Sequence, residues 1–96
     1  MPHGHLHPEI KLEAGDLLEA LEASGWEISA SMYEATFCGD WFVDLCRGEK
    51  FIRLMKKDEL FTIQKLDDTK FENENLEQPF ASFHLFEKAV TQWART

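Results

Sequence analysis

The stretch Trp41-Phe-Val-Asp-Leu-Cys-Arg-Gly-Glu-Lys-Phe-Ile-Arg-Leu-Met-Lys-Lys-Asp-Glu-Leu-Phe-Thr-Ile-Gln-Lys65 decides the fold. Apolar and polar residues alternate along it, and Gly48-Glu49 and Asp58-Glu59 interrupt the alternation. A period of two belongs to a strand with one buried face. Two-residue interruptions leave room only for antiparallel neighbours. Strands are expected at 41–47, 50–57 and 60–66. Folded about these turns, Val43 falls opposite Leu54, Leu45 opposite Ile52, and Leu54 opposite Ile63. A slip of one residue in either hairpin would send every apolar side chain to the wrong face. Asp58-Glu59 lacks the Gly or Asn that such tight turns prefer.

Upstream, residues 27–37 continue the period and predict a further strand, joined through Cys38-Gly39-Asp40. A three-residue loop there sets Phe37 opposite Trp41, Ala35 opposite Val43 and Tyr33 opposite Leu45. The four strands then form a meander whose inner face is continuously apolar. Two amphipathic segments flank it. Asp16 and Glu19 resemble a capping box, followed by the stripe Leu17, Leu18, Leu21 and ended by Ser24-Gly25; they predict a helix of roughly nine residues starting at Asp16. The second segment starts at Pro79, a favourable first-turn residue, and runs to Trp93. At ~100° per residue, Phe80, Phe83, Phe86, Val90 and Trp93 share one arc of this helix, with Leu85 on the far side. The expected fold is α+β: a two-layer sandwich of a four-stranded antiparallel meander with the N-terminal and C-terminal helices on one face (α-β-β-β-β-α). Residues 1–9, with His3, His5 and His7 between Gly and Pro, are expected to be a flexible arm, and 10–96 a single domain. Residues 67–78 are polar and turn-rich; they predict a linker with a short edge strand around Lys70–Glu72.

The 96 residues include eight Phe, three Trp and one Tyr, enough aromatic surface for a small core and too much for an acidic disordered tail. The formal charge is -8, which argues against non-specific nucleic-acid binding. It is unevenly spread: residues 9–49 sum to -8, residues 50–65 to +3 and residues 66–96 to -3. No apolar run is long enough for a membrane span, and no leader pattern opens the chain. Cys38 and Cys46 suit reduced thiols of a cytoplasmic protein better than a disulfide.

No motif carries chemistry. Phosphate-binding loops, dinucleotide-binding glycines, paired Cys and zinc-protease patterns are missing. His84 has Glu87 one turn on, which is simpler as a helix-boundary pair than as acid-base equipment. The alternating histidines of the arm suit adventitious metal at most. No catalytic residue, metal site or cofactor is therefore expected.

The informative feature is the other face of the sheet. It is predicted to carry Glu34, Asp44, Arg53 and Gln64 as a central polar row, with Asp44 directly opposite Arg53. Met32, Phe42, Cys46, Phe51, Met55 and Leu66 surround that row. An exposed antiparallel face is ordinarily polar; this mixture resembles a binding patch. The expected function is that of a small acidic protein-interaction module. It would self-associate as a homodimer, or bind or inhibit another protein, through Met32, Glu34, Phe42, Asp44, Phe51, Arg53, Met55 and Gln64. The alternative is a small enzyme or ligand-binding domain holding a small molecule between sheet and helices, in a pocket lined by Trp26, Tyr33 and His84.

Overall fold

The computed structural model describes residues 6–34, 39–65 and 78–94. Helix α1 spans Pro8–Ala23, followed by strands β1 (Glu27–Glu34), β2 (Asp40–Arg47), β3 (Lys50–Lys57) and β4 (Leu60–Lys65), and by helix α2 (Phe83–Ala94). The strands form an antiparallel sheet in the order β1-β2-β3-β4. The architecture is the expected α+β meander with a helix at each end. The expectations for Ala35, Phe37, Cys38, Leu66 and a strand at Lys70–Glu72 lie outside the described residues.

The two later hairpins take the register implied by their apolar pattern: Val43 pairs with Leu54, Leu45 with Ile52, and Leu54 with Ile63. The turn at 58–59 holds although its composition is poor. Asp58 and Glu59 both adopt left-handed backbone, with φ of 53° and 67°, the condition for a two-residue turn that matches strand twist. The Asp58 N–H donates to Asp40 Oδ1 at 3.2 Å, tying the turn to the start of β2.

The first hairpin departs from expectation. Tyr33 pairs with Trp41 and Ser31 with Val43, a displacement of four residues from the predicted pairing of Tyr33 with Leu45. The connection leaves β1 at Glu34 and re-enters at Asp40, through Gly39 with φ 76°. A shift by an even number preserves which side chains point inward, so the apolar pattern could not discriminate the two registers. A bulge between Ile28 and Ala30 resets the phase and brings Ile28 against Leu45 on the core side.

Helix α1 begins eight residues before the expected Asp16. Pro8 occupies the first turn, and the His7 imidazole caps it by accepting from the Glu9 N–H through Nδ1 at 3.1 Å. The His7 ring also stacks on Tyr33, with centroids 4.2 Å apart. Leu6 is buried, so the packed fold starts ahead of Ile10. The C-terminus ends as expected. The Gly25 N–H donates to Glu22 O and the Trp26 N–H to Leu21 O, both at 3.0 Å, with Gly25 at φ 95°; this double bond pattern is the Schellman closure.

Helix α2 starts later than Pro79, at Phe83, because Phe80 is used otherwise. Phe80 and Phe61 exchange two backbone hydrogen bonds of 2.8 Å, so residue 80 extends the β4 edge. The Ser82 hydroxyl then accepts from the Leu85 N–H at the helix start. The core lies between the helices and one sheet face. Ile10, Ala14, Leu17, Leu18 and Leu21 from α1 and Phe86, Val90 and Ala94 from α2 meet Trp41, Val43, Leu45, Ile52, Leu54, Phe61 and Ile63. Leu85 points away from it, as its place on the helix predicted.

Candidate functional site

The outer face takes its composition from the even positions of β2 and the odd positions of β3, while Trp41, Val43, Leu45, Ile52 and Leu54 between them point into the core. Cross-strand rows follow from the register. One row is Met32, Phe42, Met55 and Thr62; the next is Ala30, Asp44, Arg53 and Gln64; beyond it Cys46 faces Phe51. Six of the eight residues expected on this patch form one block across the middle strands and their neighbours: Met32, Phe42, Met55, Asp44, Arg53 and Gln64. Phe51 adjoins it. Glu34 does not belong to the central row. The displaced first hairpin sets it opposite Asp40 at the end of the sheet, and Ala30 stands beside Asp44 instead.

Arg53 is the organising side chain. Its Nε donates to Asp44 Oδ1 at 2.7 Å and its Nη2 to Asp44 Oδ2 at 3.0 Å. This two-point bond matches the planar guanidinium to the planar carboxylate. The guanidinium carbon also lies 4.2 Å from the centre of the Phe42 ring, within cation-π range. The hydrogen bond that Arg53 donates to Asp44 raises the Arg53 pKa above its ordinary value, against the opposing effect of burial. The pair remains in contact with water, with side-chain exposures of 33% for Arg53 and 13% for Asp44. A pair so placed contributes on the order of 0.2–1 kcal/mol to stability. Its larger consequence is geometric: a long cationic side chain is fixed flat on the sheet. Around it Met32 and Phe51 are exposed and Phe42 and Met55 half-buried.

Two features escaped the sequence. Leu60 is exposed at the edge of β4. The Thr62 hydroxyl, beside Met55, is enclosed without a hydrogen-bond partner. The stacking of Arg53 on Phe42 was detectable in principle, because the two are diagonal neighbours once the second hairpin's register is set.

The residues of the alternative site do not converge. Trp26 is buried against Trp93 and beneath Arg47. Tyr33 packs on His7. His84 is exposed and lines a different cavity, an open groove of about 620 Å³ between α1 and α2 with Asp16, Leu17, Ala20, Glu87 and Lys88 among its walls. The space between sheet and helices is filled by the core described above. Among the described residues no group of three His, Cys, Asp or Glu side chains is placed to hold a metal ion. Cys46 is a half-buried free thiol. No described helix is long and apolar enough to cross a membrane.

No family model, curated protein or solved structure matches the chain.

Proposed function

We propose that this small α+β domain is a non-catalytic interaction module that docks another protein on the outer face of its sheet. The single observation that supports it is the internal pairing of Arg53. Interface centres are depleted in charge, and a lone arginine amid Met32, Phe42, Phe51 and Met55 would resist burial. Here Asp44 already neutralises it through two hydrogen bonds, so a partner can cover the patch without stranding a charge. Arginine, phenylalanine and methionine are also residue types that interfaces favour. The net charge of -8 disfavours a second copy and steers a basic partner.

The test compares wild type with Phe51→Asp and Arg53→Glu. Both positions have access to solvent, so circular dichroism should change little for either variant; stability should fall by less than about 1 kcal/mol for Phe51→Asp and by about 1–2 kcal/mol for Arg53→Glu, which loses the pair and sets two acids face to face. The expected outcome is that wild type, monomeric by light scattering, captures a partner from native extract that both variants lose. Equal capture by all three proteins would remove the outer face from the function.

A further inference from the structure

Building on the interaction-module reading, we infer that the open edge of β1 accepts a basic, extended segment of the partner as a fifth strand. The two edges of the sheet differ. At β4 the backbone of Phe61 is already bonded to Phe80. At β1 no described segment pairs with the side away from β2. An unpaired strand edge is a row of hydrogen-bonding groups ready for another chain. The inward side chains show the same asymmetry. Ile28, Ser31 and Tyr33 are half-buried, whereas Leu45, Val43 and Trp41, which they pair with on β2, are buried. The inward side chains of β1 are therefore less enclosed than those of β2, although His7 stacks on Tyr33, and a further strand would add to their burial.

Charge selects the occupant. β1 bears Glu27 and Glu34, both exposed and near its two ends, and no base. Asp40 lies opposite Glu34. Lys50, Arg53, Lys56 and Lys57 lie on β3, on the far side of β2. A second copy therefore brings acid to acid at β1, and the β4 edge, which adjoins the basic strand, is bridged by Phe80 at Phe61. A segment with Lys or Arg near each end and a small or apolar residue over Met32 meets Glu27 and Glu34 with opposite charge. The bulge between Ile28 and Ala30 leaves Ala30–Glu34 as the regular stretch, with Glu27 met beyond it, and guards against indiscriminate strand addition.

The experiment titrates the full chain with the synthetic peptide Lys-Val-Thr-Val-Thr-Val-Lys, whose lysines share one face as Glu27 and Glu34 do, alongside the same peptide N-methylated at alternate amides and a version with Glu replacing Lys. Amide exchange and chemical shifts are followed by NMR. The expected result is slowed exchange at Ser31–Glu34, affinity lowered about tenfold or more by N-methylation, no binding of the acidic peptide, and weakening by added salt. The double variant Glu27→Gln/Glu34→Gln, whose exposed positions leave the fold intact, should bind several-fold more weakly. Unprotected β1 amides at saturation, equal binding of the N-methylated peptide, or undiminished binding by the double variant would overturn the inference. Shifts confined to Phe42, Phe51 and Arg53 would overturn the edge and leave the outer-face function standing. Protection of β1 that persists in Phe51→Asp supports the edge independently of that face. A symmetric dimer trapped through Met32→Cys would overturn the inference by assigning the edge to a second copy.

Discussion

At the scale of single residues, strain and charge are concentrated in a few places. Glu59 is held at φ 67° in the turn after β3. A side chain with a Cβ pays roughly 1–2 kcal/mol for left-handed backbone, and nothing in the hydrogen bonds of this turn involves the Glu59 carboxylate. Glu59→Gly creates the Asp-Gly pair that two-residue hairpins favour. After the extra freedom glycine gives the unfolded chain, a gain of about 0.5–1 kcal/mol remains. Thermal melting should rise by several degrees, and an unchanged or lower midpoint would show that the turn is not strained there. Glu13 serves a different purpose at the same scale. One carboxylate oxygen accepts from Trp41 Nε1 at 2.7 Å and the other from Lys56 Nζ at 3.0 Å. A single side chain thus fastens α1 to β2 and β3, and it satisfies the indole N–H of a buried tryptophan.

At the scale of elements, α1 is the instructive case. Ile10, Ala14, Leu17, Leu18 and Leu21 recur at helical spacing and are all buried. Pro8 in the first turn and Glu9 beside it are ordinary start signals. Gly15 interrupts the pattern, and the capping-box resemblance of Asp16 and Glu19 drew the boundary too late. In the structure Gly15 is an interior helix residue, and an added Cβ would meet nothing within 4 Å. Gly15→Ala should therefore stabilise the domain by about 0.5–1 kcal/mol through helix propensity alone. That corresponds to about 2–8 °C in the melting midpoint for a chain of this size. A fall in the midpoint would mean that the site is tighter than its geometry implies. Helix α2 behaves in the opposite way: its apolar arc was legible, but its start moved because Phe80 is engaged as a β-bridge to Phe61.

At the scale of the whole molecule, one apolar layer joins everything. Phe86 is fully buried and packs against Phe61, Phe80 and Phe83, with ring centroids 5.8, 5.7 and 6.2 Å away. It links α2, the β4 edge and the residue 80 bridge. Phe86→Ala should cost about 3–5 kcal/mol, a large share of the 5–15 kcal/mol typical of a whole domain. The melting midpoint should drop by more than about 10 °C, or folding should fail altogether. A midpoint within a few degrees of wild type would show that α2 is not seated on the sheet as described. Charge is also organised at this scale. Acids dominate α1, β1 and β2, and bases dominate β3. The sheet therefore carries a gradient along its strand order, with its acidic end at the open edge.

Alternation along residues 27–65 was enough to determine strand number and strand order, and along residues 41–65 it determined the pairing of β3 with β2 and with β4 and the opposition of Asp44 to Arg53. Each of these follows from a period of two joined by short turns, which leaves few ways to keep one face apolar. The outer patch was legible for the same reason, except at Glu34. Parity alone fixes inward and outward, so a four-residue displacement of β1 was invisible to the pattern, and it moved Glu34 off the centre. Tertiary structure alone decided that displacement, the bulge at Ile28, the use of His7 and Leu6 to begin α1, and the bridge from Phe80 to Phe61 at the β4 edge. These depend on contacts between residues far apart in the chain, and local periodicity carries no record of which distant surface will be covered.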